Sequence, residues 1–586
     1  MKWSNLSVKL AGDDISPIIS DCSLDQSLGG HHQLICRLPV EERSIGFINV
    51  LQDSSEKWIG EPFVINDLFE GVVVSLGLSR TKSGGSELII NALSKSIFLD
   101  DGINTRSFGK KSLKKILDEI TSKYSEKIQV EIKPEYTRDL KYTVQYYESN
   151  FDFINRLAAS YGEWLYYDGK KLLFAKPVTD DIIRLEFGEV LTHFDLFLKT
   201  SPPRFNLSAY DYKANLSLKK SFQYLETNNP YLKISMDKAQ NLIYSEHSSI
   251  PLSLSMNDKD IEHIYRLNQN NVLSQMVILQ GTSTNINIRI GKVIEIIDPR
   301  KDLLSGGFEN YGKYIITNLR HNFTANADNY INYFEAIPAD SAVPPYIHSV
   351  TPPACVNQIG KVIDNNDPKA LGRIRVQFSW QENFSGEDSK TPWIRVTSAM
   401  AGGDKGFYMI PEIDDQVLVA FEQNHPERPY VLAGGMYHGY AKPEFFDTNN
   451  YKKAIKTKGK NQIVLYDETG QESMTLSTPK DFKSEAIGGK MDLIAKDKIT
   501  MESNNEEIFI NALNKVSINA NVIELNAKSI IKINGLTIEI KAERNLDATG
   551  DQINIEGVTT DVKGSVKMNV ESSTLTSISG LILKLN

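Results

Sequence analysis

Cysteine is scarce: Cys22, Cys36 and Cys355 are the only three in 586 residues. Their spacing fits no metal-ligand set, and at least one must stay unpaired. Reduced structural thiols in a cytoplasmic protein are the expectation. No apolar run approaches the roughly 20 residues needed to cross a bilayer. The opening MKWSNLSVKLAGDDIS reaches Asp13 and Asp14 before any long apolar stretch, so no secretory signal is expected. Histidine is thin and scattered, with His31-His32 the only adjacent pair, and HExxH and HxH are absent. GxSxG, Walker A and GxGxxG are also missing. No catalytic residue, cofactor or metal site is therefore expected. The net charge of −9 argues against a general binder of nucleic acid or anionic membrane. Proline stops at Pro479 and aromatics stop at Phe509.

What fills that last quarter is a repeat. Apolar-x-apolar doublets recur at Met491/Leu493, Ile499/Met501, Ile508/Ile510, Val516/Ile518, Ile523/Leu525, Ile531/Ile533, Ile538/Ile540, Leu546/Ala548, Ile553/Ile555 and Met568/Val570, with a weak step at Thr560/Val562. The step is about eight residues. Alternation puts Val, Ile and Leu on one face of a short strand and Lys, Asp, Glu, Asn and Ser on the other. Such a strand cannot bury its apolar face alone, so it must coil into a prism or stack with copies of itself. At ~4.8 Å per step the expected object is a rod of roughly 80 Å. The period itself does not fix the number of chains, because a single chain can also stack in triangular coils.

Upstream, residues 1–345 read as one large, mainly β region with a few helices. KKSLKKILDEITSKY places Leu113, Ile116, Leu117, Ile120 and Tyr124 on one stripe. A second helix is expected through NFDFINRLAASYG, capped by Asn150 and ended by Gly162. WLYYDGKKLLFA reads as a hairpin turning at Asp168-Gly169. A third helix is expected over Asp258–Leu273, followed by strands at Asn285–Ile290, Val293–Ile297 and Tyr314–Leu319. Prolines at 344–345 and 352–353 mark a boundary. Residues 354–440 then give five or six short strands of a small barrel, and a polar linker at 441–458 leads to the rod, 459–586.

Two segments carry a resemblance. The barrel holds Asp367-Pro368, Gly372-Arg373, Trp393-Ile394-Arg395-Val396, Gly406-Phe407-Tyr408, Pro411-Glu412 and Arg428-Pro429 in order. This resembles the OB-fold domain of VgrG proteins, the trimeric spikes of type VI secretion, and of related phage tail spikes. The segment VQYYESNFDFINRLAASYGEWLYYDGKKLLF, from Val144 to Phe174, resembles the phage baseplate-hub domain at the front of the same family. Gly291 and a strand over Tyr330–Pro338 fit that hub too. Ile413-Asp414-Asp415-Gln416-Val417 and Asn424-His425-Pro426 depart from the family's usual Gly-Asp-Glu-Val and Gly-Asp-Pro, as in a divergent branch.

The resemblance implies a mainly β fold: a hub with inserted helices, an OB-fold and an intertwined triangular β-helix prism made by a homotrimer. It implies a puncturing spike of a contractile injection machine, not an enzyme, with a Hcp-like tail tube and baseplate at the hub end. Effector cargo and a PAAR-type tip protein would travel with it, from assembly in the cytoplasm to secretion. The tip would dock on Leu581, Ile582, Leu583, Lys584, Leu585 and Asn586, where the last layer exposes unpaired backbone and apolar side chains. A phage or extracellular particle is the alternative machine, and a β-solenoid that binds or cleaves glycans is the alternative from another class. An OB-fold also raises nucleic-acid binding, with Phe378, Trp380, Trp393 and Tyr408 as stacking platforms. Residues 354–440 hold eight Lys/Arg against eleven Asp/Glu, however, a poor match for a phosphate backbone. These aromatics are expected in the core or between subunits instead.

Overall fold

In a computed structural model, residues 6–40, 47–80, 82, 85–221, 223, 227, 229–255, 257–301, 308–324, 329–345 and 353–584 are described. A long, curled 13-stranded sheet dominates the first of two compact units. Its neighbours run Leu191–Leu198, Val277–Ser283, Asn329–Pro338, Phe308–Thr324, Asp21–Ser27, Gln33–Pro39, Ser86–Ser94, Phe69–Arg80, Pro62–Ile65, Val8–Leu10 and Asp13–Asp14. Val293–Lys301 also pairs with Phe308–Thr324, and Ile182–Glu186 lies parallel to it. The sheet joins strands far apart in sequence, so its order rests on tertiary packing. Two apolar cores line it, one around Ile294, Ile315 and Phe334, the other around Leu24, Phe63 and Phe323.

Among the described residues five α-helices decorate the sheet: α1 (Phe47–Trp58), α2 (Leu113–Thr121), α3 (Asn150–Tyr161), α4 (Pro230–Lys238) and α5 (Asp258–Leu273). The stripe of α2 is as the spacing predicts: Leu113, Ile116, Leu117 and Ile120 are buried against Phe153, Ile154 and Leu157 of α3. The cap of α3 is one residue earlier than expected. Ser149, not Asn150, accepts from the Asp152 N–H at 3.0 Å, while Asn150 turns inward and is buried. Gly162 does end α3, at φ 72°, where a Cβ would also meet Leu267 at 2.8 Å and Val343 at 2.9 Å. Helix α5 has the expected bounds, held by a reciprocal Asn257–Asp260 capping box.

Three other expectations change. Asn285–Ile290 is a turn, not a strand. In the hairpin after Tyr167 only Gly169 is left-handed; Asp168 instead accepts from the Lys170 and Lys171 amides, both at 2.9 Å. Cys22 and Cys36 are not free thiols but a disulfide across adjacent strands, paired in register with Cα atoms 4.3 Å apart. Sequence spacing alone does not reveal that register, which sets the two side chains on one face. Cys355 remains a buried thiol.

A polar chain threads the sheet's second core. Gln26 joins the rings of His32 (2.9 Å) and His321 (3.1 Å), and His321 meets the Tyr330 hydroxyl at 2.7 Å. His31 stacks on Phe151 and reaches Ser96 and Asp100, so the adjacent histidine pair belongs to the packing. Burial pushes His32 down to about 3 and His321 well below its ordinary value. Both are neutral when folded, whereas unfolded histidine takes up a proton near 6.5. Stability is therefore complete above 6.5 and falls as pH drops from there toward 3, by about 2 kcal/mol at pH 5 for His32. Thermal unfolding at pH 7 and pH 5 should show that fall, and a His32→Asn, His321→Gln variant should show a flatter one. Equal slopes in the two proteins would exclude these histidines as the cause.

The small domain that follows has its own core of Val362, Ile374, Val376, Phe378, Val417, Val419 and Val431. Its sheet has four strands, Arg375–Phe378, Gln358–Asp364, Gln416–Phe421 and Pro429–Ala433 in spatial order, with single bridges at Ile374–Ile394 and Val396–Val431. That is fewer regular strands than the pattern predicts, because the Trp393–Val396 segment is tied by isolated bridges only. Asp367 explains the Asp-Pro and Gly-Arg pattern: its carboxylate accepts from the backbone of Lys369, Leu371 and Arg373 and pairs both ways with the Arg373 guanidinium. Those bonds, the Arg373 pair first, hold its carboxyl well below the usual range. A three-stranded sheet of Lys452–Lys456, Gln462–Tyr466 and Ser473–Ser477 comes next. No helix among the described residues is long and apolar enough to cross a membrane.

Candidate functional surfaces: an unpaired apolar tail and a polar joint

From residue 478 onward the chain is extended, with bends at 479–480, 487–489, 496–497, 504–506, 513–514, 521, 528–529, 536, 543–544, 551, 558–559, 565–566, 573–574 and 581–582. The doublets from Ile523/Leu525 to Met568/Val570 sit between successive bends, so the repeat in the sequence is a repeat in the backbone. Among the described residues, no backbone–backbone hydrogen bond falls within 478–584. The doublets themselves stand open to solvent, with Ile538 50% exposed and Ile555 75% exposed. Leu581, Ile582 and Leu583 are likewise exposed; of the other predicted tip residues Lys584 is exposed, and Leu585 and Asn586 lie outside the described residues. A single chain thus leaves a row of unpaired N–H and C=O groups beside a continuous apolar stripe. This is the surface that strand addition recognises.

The second feature lies within the first unit, between strand Asn104–Ser112 and the small domain. The loop Glu387-Asp388 presses on that strand. Ser107 Oγ donates to the Asp388 carbonyl at 2.5 Å, Gly109 N–H donates to its carboxylate at 2.8 Å, and Lys111 pairs with it at 2.6 Å. Gln381 donates to Ser107 Oγ at 2.7 Å. Glu387 is gripped by Arg375 at 2.7 Å and Lys110 at 3.2 Å, and the Arg375 bond first of all pulls its carboxyl down to about 2. On the other side Arg156, nearly buried, pairs with Glu148 at 2.7 Å and faces Glu427 at 3.7 Å. Burial works against its charge, but those two carboxylates outweigh burial and raise its pKa. Burial raises the Glu148 carboxyl as well, in spite of Arg156. Arg395 lies 4.6 Å from the centre of the Tyr212 ring, and both line an open cavity of about 320 Å³ beside Arg156 and Glu427.

The charged groups named in this joint are paired with one another. The joint ties the strand Asn104–Ser112 to the small domain. Gly109 is its tightest point, since a Cβ there would meet the Glu387 carbonyl at 2.6 Å and its Cβ at 2.7 Å. Gly109→Val should lift the loop, breaking the Asp388 bonds at a cost of roughly 2–4 kcal/mol. Hydrogen exchange over 375–391 should rise well above that of the parent. Unchanged protection there would show that the loop does not depend on this approach. Sequence reading missed the joint because Ser107 and Asp388 are separated by 281 positions. The aromatics singled out from the sequence divide: Phe378 is buried and stacks on Trp380, Trp393 lies under the Arg375 guanidinium, and Tyr408 is exposed.

Comparison with known proteins accounts for both parts of the first unit. The phage tail baseplate hub model matches residues 66–327, and the type VI secretion system/phage-baseplate injector OB domain model matches residues 358–437. The chain is 23% identical over 392 residues to the actin cross-linking toxin VgrG1 of Vibrio cholerae, covering 63% of this chain and 35% of that protein. It is 32% identical over 118 residues to the type VI secretion system spike protein VgrG4b of Pseudomonas aeruginosa, covering 19% and 14%. In fold it is similar to the lidded Francisella PdpA–VgrG complex, with a TM-score of 0.53 at 10% identity, covering 81% of this chain and 77% of that one. The lidless complex gives 0.52 at 10% identity over 81% and 94%. Along the chain the hub match precedes the injector-domain match. Over these two segments the chain is similar to VgrG spike proteins. It spans about a third or less of the length of both VgrG relatives.

Proposed function

We propose that three copies of this chain form the puncturing spike of a type VI secretion machine. The observation that carries this is the tail: an apolar stripe that repeats from bend to bend and has, among the described residues, no backbone–backbone hydrogen bond within 478–584. Three identical tails wound together would supply partner groups, each strand pairing with the next. The hub would span 1–345, the OB domain 354–440, the linker 441–458 and the β-helix prism 459–586. The relatives named as type VI spike proteins support the same role.

In this reading the molecule does mechanical work and no chemistry. A closed prism resists axial load because pulling out one chain breaks many hydrogen bonds together. The hub end would meet the tube and baseplate, and the far end a PAAR-type tip, with effectors carried along. Assembly would precede export from the cytoplasm. Light scattering of the purified full chain tests it: the expected mass is three times 65.9 kDa. A single-chain mass at micromolar concentration would refute the trimeric spike.

A further inference from the structure

The joint is held from two sides, and they are built from different chemistry. On one side Asp388 meets amides and Lys111, and Arg375 holds the Glu387 carboxyl down at about 2. On the other side a bond runs through an imidazole. Glu427 N–H donates to His425 Nδ1 at 3.2 Å. The Glu427 carboxylate in turn accepts from the Val144 N–H at 3.3 Å and faces Arg156 at 3.7 Å. The turn that presents these groups closes by His425 N–H to the Glu422 carbonyl at 3.0 Å and Arg428 N–H to the His425 carbonyl at 2.9 Å. Within it Gln423 and Asn424 take φ 51° and 59°, left-handed values that a residue with a side chain adopts at a cost. Such a turn keeps its shape only through its remaining contacts.

Nδ1 accepts a hydrogen bond only while it carries no proton. This is the place where Asn424-His425-Pro426 departs from Gly-Asp-Pro, and the difference is chemical. A carboxylate or amide oxygen at position 425 would accept the N–H two residues on at any ordinary pH. An imidazole accepts it when neutral and opposes it with a second N–H when protonated. Burial, first of all, lowers the pKa of His425; Glu427 works the other way, and Arg428 and Arg156 lower it again. The ring is therefore neutral when folded at pH 7, and the turn is complete above the ordinary 6.5 and loosens as pH falls from there. The elements around it bring further charged and titratable groups to the same cavity. Tyr161 comes from α3, Asp260 and His263 from α5, Asp139 and Lys141 from the strand Asp139–Glu148, and Arg395 from the small domain, where it pairs with Glu422 at 2.6 Å. Strand Ser248–Ser255, which packs on the turn, carries no titratable side chain. Glu148, paired with Arg156 and raised by burial, is the competing acid-sensitive group.

We propose that His425 is an acid-sensitive latch: its protonation releases Glu427 from Val144 and Arg156 and frees the small domain from the hub on this side alone. The domain stays tied through Asp388, so the joint swings open instead of parting. Every group involved lies in one chain, so the latch does not depend on the trimeric reading above.

Hydrogen exchange of the full chain at pH 7 and pH 5, corrected for the intrinsic rate, tests it. In the parent, residues 422–431 and 142–148 should exchange about tenfold faster at pH 5, while 375–391 changes little. His425→Asn keeps an acceptor, because Asn Oδ1 takes the place of Nδ1, and it does not titrate. That variant should protect both segments equally at the two pH values, with Glu148 still in place. A parent whose two segments keep their protection at pH 5 would overturn the latch without any variant. A His425→Asn protein that retains the full acid response would assign the response to Glu148 or another group and overturn it as well. Equal opening of 375–391 in the parent would show the domain leaving as a whole, against a one-sided latch.

Discussion

Ile538→Asp is expected to abolish the assembled tail, while Thr537→Asp, one residue away, should leave it nearly unchanged. In the single chain both positions are exposed, so neither substitution has anything to disturb there. A difference between them can arise only in an assembly that buries one face of the strand and not the other. Ile538 belongs to a doublet and Thr537 to the opposite face. In a three-chain prism three carboxylates would converge near one axis, where desolvation and mutual repulsion add. Each also forfeits the burial of a large aliphatic side chain. The combined loss is on the order of 10 kcal/mol per trimer, more than most assemblies can absorb. Thermal unfolding and light scattering of the two variants decide it. If both lose the same stability, the assignment of faces is wrong. If neither loses any, the doublets do not meet in solution.

The tail was legible in the sequence because its information is local. The eight-residue step gives the bends, and the backbone turns between the doublets, as at 536 and 543–544 around Ile538/Ile540. Helix α5 was legible for the same reason, since its capping box lies within four residues of chain. What the sequence hides is long-range. The joint depends on Asp388 reaching Ser107, Gly109 and Lys111, and none of those residues has a local signature. The Cys22–Cys36 bond depends on a register that two seven-residue strands adopt within a 13-stranded sheet. Asn150 reads as a cap from its type alone, yet Gln145 and Arg106 claim its side chain inside the hub, at 3.2 and 2.6 Å, and leave the cap to Ser149. The number of chains in the tail is the intermediate case. The period permits one chain or several, and among the described residues no backbone–backbone hydrogen bond within 478–584 closes the single chain on itself.

Deleting Leu581–Asn586 should abolish capture of a PAAR-type tip protein while leaving the trimer folded. In the proposed spike Leu581–Asn586 form an end layer whose outer N–H and C=O groups offer an edge for strand addition. Leu581, Ile582 and Leu583 are exposed in the single chain, and in a trimer three such ends make a flat apolar triangle. A small cone with a matching base would bury that triangle and pair the open edges. The deletion removes one layer of many, so the remaining doublets still hold the tails together, and the thermal midpoint should shift little. Co-purification of the tip protein with the shortened spike, compared with the parent at equal concentration, separates the two effects. Capture at full affinity would move the docking surface elsewhere on the chain. Loss of the trimer itself would mean instead that the final layer clamps the tails, a structural role that the repeat upstream does not require.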